Sequence, residues 1–438
     1  MKIFLDSVGC RLNQSEIEML ARQFFLAGHQ IIEDASQADI VVINTCAVTD
    51  AASSDSRQKI RQAARNSHAR IISTGCWATI DPQGAARLPA VEWIIANAQK
   101  DEIVKLVNPD WSVSHADSQR NQYLLGKHRR TRAFIKVQDG CDNSCSYCIT
   151  RIARGKGRSR GLEQVIEEVQ LAVNAGVKEA VLTGAQLGSW GKDLYPPLRL
   201  IDLINGILEK TSIDRLRLSS VEPWEIHEDF FPLLENPRFC RHLHLPLQSG
   251  SSAVLKRMRR PITPEKYQDL ISSIRKANKN VALSTDLIVG FPGETEAEFS
   301  ETLKFVQCLQ FAGGHVFSFS PRPQTQAASL PGQVSPGIKK ERSRILRGMI
   351  SDSAFHFRES QKNQIQKVLW EKSTPLEGGL FELEGLSDNY LRVTGISHDN
   401  LWNCISAVKL VEIQGKTSRG KIIGPCHTSL MRQSRVSD

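Results

Sequence analysis

The sequence predicts an α/β protein in three parts: an N-terminal open parallel sheet, a central incomplete TIM-like (β/α)6 barrel and a small C-terminal β-barrel. Three observations predict it. Continuous apolar runs alternate with helical patterns from Lys2 to Ile95 and again from Ala133 to Phe319; such runs belong to parallel sheets covered on both faces. After Gln361 the pattern changes to short strands divided by Gly, Asn and Ser, as in a small barrel of nucleic-acid-binding type. Cysteines fall just past strand ends, where sheets and barrels of this class carry their sites.

The chain of 438 residues is long enough for several domains, and 40% hydrophobic with 24% charged residues allows a sizeable core. No apolar run is long enough to span a membrane. The start, Met1-Lys2-Ile3-Phe4-Leu5-Asp6-Ser7, lacks the apolar core of a secretory signal. Ten cysteines without such a signal point to a reducing compartment and to metal or catalytic use. The expected location is the cytoplasm.

In the first part, strands are expected at Lys2–Leu5, Asp39–Asn44, Ala69–Thr74 and Trp93–Ile95, and helices at Ser15–Ala27, Ser53–Asn66 and Asp81–Leu88. Cys10, Cys46 and Cys76 each follow a strand, about one strand–helix unit apart, beside Gly9, Thr45 and Gly75. Three unrelated buried cysteines would be the plain reading. Their register at the strand ends favours a three-thiolate cluster site.

From Asn108 to Arg132 the chain is polar and aperiodic, a linker. Six apolar strands follow at 133–138, 179–184, 215–219, 241–245, 281–289 and 313–319. Helical patterns at Leu162–Ala175, Pro197–Glu209, Pro264–Lys279 and Glu296–Leu309 separate most of them. The loop after the first strand holds Cys141, Cys145 and Cys148 as CxxxCxxC, with Gly140 as its turn. Three soft thiolates hold three corners of an Fe–S cubane and leave one iron open to a small molecule. Zinc would ask for a second ligand pair, and none follows soon after.

Polar motifs close other strands: Gly184-Ala185-Gln186, Glu222-Pro223 and Pro246-Leu247-Gln248-Ser249-Gly250. Together they read as a binding face, with Glu222 and Gln248 set for the amine and ribose of a cofactor or for loop capping. His242 and His244 share one strand face, a possible site wall. Cys240, Cys308, Cys404 and Cys426 are isolated and assigned to packing.

Charge is concentrated. Net charge is +9, and Arg120 to Arg160 contain eleven Lys or Arg against Asp139 and Asp142 alone. A basic segment around a reactive loop attracts a polyanion. Arg129, Arg130, Arg132, Arg154, Lys156 and Arg158 are the candidate nucleic-acid contacts; a solvated face is the bland alternative.

The motifs Val8-Gly9-Cys10-Arg11-Leu12-Asn13, Ile43-Asn44-Thr45-Cys46 and Thr74-Gly75-Cys76-Trp77, with Cys141, Cys145 and Cys148, resemble those of the radical S-adenosylmethionine (SAM) methylthiotransferases. Gln138-Asp139-Gly140-Cys141 and His242-Leu243-His244-Leu245-Pro246 look most like the branch acting on N6-threonylcarbamoyladenosine (t6A). The resemblance implies five segments: residues 1–108 with an auxiliary cluster, a linker 109–126, a radical SAM core 127–358, a TRAM RNA-binding barrel 360–425 and a tail 426–438. It implies two 4Fe-4S clusters, an auxiliary one on Cys10, Cys46 and Cys76 and a second on Cys141, Cys145 and Cys148. SAM is implied in two equivalents, as radical source and methyl donor, with contacts from Tyr147, Gly184, Gln186, Glu222 and Gln248. The implied partners are a tRNA anticodon loop and an electron donor such as flavodoxin or ferredoxin, with no membrane. The implied reaction sets a methylthio group on C2 of the base at position 37. Isopentenyladenosine or a ribosomal protein are the alternative substrates. A non-catalytic Fe–S redox protein and a zinc-stabilised RNA-binding module are the alternatives of another class.

Overall fold

A computed structural model describes residues 1–66, 68–109, 111 and 131–424. Most of the expected linker, Arg129 and Arg130, and the expected tail with Cys426 lie outside the described residues.

The first sheet contains β1 (Lys2–Ser7), β2 (Gln30–Ile31), β3 (Ile40–Thr45), β4 (Arg70–Gly75) and β5 (Val91–Ile95), all parallel in the order β2-β1-β3-β4-β5. β3 is buried throughout, as its unbroken apolar run requires. Helices Arg11–Leu26 and Asp50–Asn66 cover the sheet. The first starts four residues earlier than its apolar pattern indicates, because Cys10 occupies the N-cap in extended backbone. The single helix expected at Asp81–Leu88 is a pair, Cys76–Ile80 and Pro82–Ala86. Asp81 stands between them and caps the second by accepting from the Gly84 amide.

The central part is a half-barrel. β6 (Arg132–Lys136) is followed by the short antiparallel pair β7 (Gln138–Asp139) and β8 (Arg158–Ser159), which fixes the base of the cysteine loop. β9 (Glu179–Thr183) and β10 (Arg215–Leu218) complete one parallel sheet with β6. β11 (His242–His244), β12 (Ala282–Val289) and β13 (Gly313–Ser318) form the next. Bridges Leu216–Phe239 and Ser220–His244 join the two sheets into one curved wall. Outward-facing residues of these strands and the helices Leu162–Asn174, Leu200–Lys210, Pro264–Ala277 and Glu296–Leu309 build the main core. The helix Pro336–Ser360 packs on β13 and leads out of the half-barrel.

The C-terminal part is a closed barrel of β14 (Ile365–Pro375), β15 (Phe381–Ser387), β16 (Arg392–Ser397), β17 (Ile405–Gln414) and β18 (Thr417–Ile422), in the order β14-β15-β16-β18-β17. Its core surrounds the fully buried Trp370. Cys308 is exposed and is no packing residue, a correction to the sequence reading; Cys240 is buried. No helix among the described residues is long and apolar enough to cross a membrane.

Candidate functional site

β1, β3 and β4 are neighbours, so Cys10, Cys46 and Cys76 lie side by side at one edge of the first sheet. Close backbone approach makes this possible. Gly9 has φ +92°, and a Cβ on it would stand 2.6 Å from Cys46 Sγ. Gly75 has φ +98°, and a Cβ on it would stand 2.4 Å from the Thr45 backbone. Only glycine serves at such points. Cys46 and Cys76 are buried while Cys10 is exposed at the helix head. Burial pushes the Cys46 thiol up to about 12. Desolvation by the surrounding protein raises the Cys10 thiol as well, with the Arg154 charge opposing. Asn97 reaches the third thiol, with Nδ2 3.6 Å from Cys76 Sγ.

The second trio lies on the loop after β7. Gly140, at φ +75°, brings its backbone against Lys156 O. Cys141 is buried and its thiol is pushed up to about 12 by that burial. It donates to Gln186 Oε1 at 3.2 Å, which also accepts from the Asp142 amide at 3.1 Å. Gln186 is held by Gln138, whose Oε1 accepts from its amide at 2.8 Å. Gly184 leaves room for that Gln138 side chain. Cys148 contacts the Thr150 hydroxyl at 3.2 Å. Burial raises the Cys145 thiol, and the Arg260 charge opposes it. All six thiols are free. Beside the loop opens a cavity of ≈ 320 Å³ lined by Asp142, Asn143, Gln186, Trp224 and Glu225 among others, within the size range of small-molecule sites.

Tyr147 sits edge-on to Phe291, ring centroids 6.5 Å apart. Glu222 makes an ion pair with Arg260 at 2.8 Å, so its charge is already answered within the protein. Gln248 adopts φ +74° and pairs its backbone with Asp286 and Ile288. Arg260 was missed in the sequence. It lies over the Trp224 ring at 4.5 Å, and its charge acts on both Cys145 and Tyr147. The Met258-Arg259-Arg260-Pro261 step ending a short helix was its only signal.

Between the two trios lies a buried ionic network that sequence patterning does not reveal. Glu16, fully buried, takes Arg154 Nη1 at 2.8 Å, Lys136 at 2.8 Å and Lys100. Arg154 also reaches Asp139 at 2.9 Å and Asn13 Oδ1 at 2.7 Å. Burial alone would raise the Glu16 pKa; the three cations overcome it and hold the carboxyl well below its usual range. Glu16 lies on the helix after β1 and Lys100 follows β5, while Lys136 ends β6 and Asp139 and Arg154 flank the cysteine loop. The network therefore joins the two trios.

This corrects the reading of the basic segment. Arg154 is buried and ion-paired, so it cannot meet RNA. Arg132 is half-buried and paired with Glu371 of the C-terminal barrel at 2.6 Å. Arg160 is paired with Glu168. Arg151, Lys156 and Arg158 remain exposed beside the cysteine loop.

The C-terminal barrel docks at the opposite mouth of the half-barrel. Arg215 and Arg217 sandwich the buried Glu179 and donate to the Leu386 and Ser387 carbonyls. Arg241 binds Asp388 at 2.7 Å. Tyr390 stacks on His242 with centroids 4.3 Å apart and accepts from Arg11.

A half-barrel with a CxxxCxxC loop at its first strand end defines the class of radical SAM enzymes, and the Radical SAM superfamily model matches residues 135–306. The model described as Uncharacterized protein family UPF0004 matches residues 2–96. The threonylcarbamoyladenosine tRNA methylthiotransferase MtaB of Bacillus subtilis (strain 168) is 33% identical over 99% of both chains. That of Thermotoga maritima is 35% identical over 95% of each. The tRNA-2-methylthio-N(6)-dimethylallyladenosine synthase of Clostridium tetani is 30% identical over 93% of each. Among solved structures, the radical SAM methyltransferase TsrM from Kitasatospora setae superposes with a TM-score of 0.53 at 14% identity, covering 75% of this chain and 74% of that one, a likeness of fold. The chain belongs to the radical SAM methylthiotransferase family, whose members use SAM and iron–sulfur clusters.

Proposed function

We propose that this chain places a methylthio group on C2 of t6A at position 37 of tRNA. The observation that carries the reading is the pairing of two free-thiol trios on two separate strand-end faces, bridged by one buried network. Relatives named for threonylcarbamoyladenosine stand at 33% to 35% identity; those named for dimethylallyladenosine stand at 30% to 31%.

The donor chemistry suits two clusters: six unpaired soft thiols, with the space beside Cys46 kept by a glycine whose Cβ would fill it. Cys10, Cys46 and Cys76 would hold the auxiliary cluster, and Cys141, Cys145 and Cys148 the SAM-binding one. When bound, these groups and SAM supply the one-electron chemistry, sulfur and methyl that an unreactive aromatic C–H requires. The chain's own residues position and shield. Gln186 fixes the Cys141 end of the loop. Arg260 neutralises Glu222 and steadies Cys145 and Tyr147. Tyr147, Gly184 and Gln248 complete the SAM-side wall. Arg154 ties Asp139, two residues before Cys141, to the helix that begins beside Cys10. Arg151, Lys156 and Arg158 present positive charge to the anticodon loop, and the C-terminal barrel, a TRAM-type module, adds a second RNA surface. A flavodoxin or ferredoxin class of donor would supply electrons.

Cys46→Ala tests the division of labour. SAM cleavage should persist, methylthiolation should vanish, and iron should fall from about eight to about four per chain. Full methylthiolation in that variant would overturn the assignment.

A further inference from the structure

The lumen of the half-barrel carries a polar wall that the cysteine chemistry does not use. On β13, Val316 joins the core with Leu346 and Ile350, so His315 and Phe317 point the other way, into the lumen. Both are exposed. On β12 the half-buried Ser284 and Asp286 alternate with buried Leu283, Thr285 and Leu287. Asp286 takes His315 Nδ1 at 3.1 Å and His244 Nε2 at 3.2 Å. Ser284 links His244 and His242, at 2.9 and 3.0 Å. Tyr390 covers His242, and Arg11 donates to its hydroxyl.

Arg11 bonds Tyr390, with Arg132, Arg217 and the buried Glu179 acting on it from further off, and no carboxylate lies within ion-pair distance of it among the described residues. A guanidinium has donors to spare after one such bond. His315 likewise has one nitrogen on Asp286, and its side chain is 71% exposed. Such a lumen offers a guanidinium, a histidine ring nitrogen and an exposed aromatic ring. It suits a planar base that carries an anionic arm. An alkyl arm would leave both donors without partners, a costly match.

We propose that Arg11 and His315 grip the carboxylate of the threonylcarbamoyl arm while Phe317 stacks against the base, so that these residues select the substrate. The proposal rests on the t6A reading above and names its specificity pocket. The hydrogen bond and charge of Asp286 raise the His315 pKa, with burial and the nearby Arg11 charge opposing.

The test uses holoenzyme with anticodon stem-loops carrying t6A, the methyl ester of t6A, or unmodified adenosine. Affinity is read by fluorescence anisotropy without SAM, which removes the SAM carboxylate as a competing occupant. Wild type should bind the acid roughly 10–100-fold more tightly than the ester, the range of a charged hydrogen bond. Arg11→Leu and His315→Asn should each lose most of that preference. Iron content is measured in both variants, because Arg11 adjoins Cys10; His315→Asn, remote in sequence from the six thiols, keeps the test decisive if Arg11→Leu loads poorly. Equal affinity of wild type for acid and ester, or an unchanged preference in His315→Asn, overturns the pocket even if t6A is modified. Failure of wild type to modify the t6A stem-loop, with turnover of another base, overturns the substrate reading and the pocket with it.

Discussion

Glu16→Gln removes one charge and leaves volume and one acceptor in place. Its neighbours then become the problem. Lys100 is 4% exposed in its side chain, Arg154 2% and Lys136 17%, and all three depend on that carboxylate. Asp139 compensates Arg154 and Lys136 but is not an ion-pair partner of Lys100. Removing one partner of a buried ion pair costs about 3–5 kcal/mol, because the remaining charge stays desolvated. With a urea slope of about 2–3 kcal/mol per molar, the midpoint should fall by roughly 1–2.5 M. The assay is urea unfolding of the purified protein, followed by far-ultraviolet circular dichroism. Glu163→Gln is the control: its pair with Lys210 is at the surface, and its loss should cost at most about 1 kcal/mol. Lys100→Met added to Glu16→Gln should restore part of the loss by removing the stranded cation. If Glu16→Gln unfolds at the same urea as the control, the network does not hold the first sheet and the half-barrel together and the reasoning fails.

Three further outcomes follow from the geometry. Gly9→Ala should lower iron content, because its Cβ would overlap Cys46 Sγ in a backbone at φ +92°; wild-type iron would contradict this. Glu179 is buried, which alone would raise its pKa, but Arg215 and Arg217 hold it well below the usual range. A depressed folded-state pKa gives stability that is present above the unfolded value, about 4.3, and lost as pH falls below it. Proteolytic release of the C-terminal barrel should therefore rise below about pH 4, and Glu179→Gln should flatten that dependence. Binding of tRNA should weaken steeply with salt, and Lys156→Ala or Arg158→Ala should each reduce the log–log slope by about one. Arg154→Ala should not act through that slope, since its charge is spent inside the protein.

The strand-end placement of both groups of cysteines could be read from the sequence because strand periodicity places a residue on an edge without any knowledge of its contacts. Cys10, Cys46 and Cys76 follow neighbouring parallel strands, and that adjacency is fixed by apolar runs and helix-length connections. The closed five-strand barrel was legible from its turns for the same reason. Ion pairing was not. Arg154 and Arg158 look alike in a charge count, yet one is buried on Glu16 and the other exposed; the difference is made by a carboxylate far away in sequence. Nor could periodicity show that Tyr390 reaches both His242 and Arg11. Contacts of that kind are set by how domains dock.

The most direct measurement is nucleoside mass spectrometry of tRNA from a strain lacking this gene. The account predicts that the 2-methylthio form of t6A disappears and t6A itself accumulates, with restoration by the wild-type gene and not by Cys46→Ala. An unchanged level of that nucleoside, with loss of the 2-methylthio form of isopentenyladenosine, would contradict it.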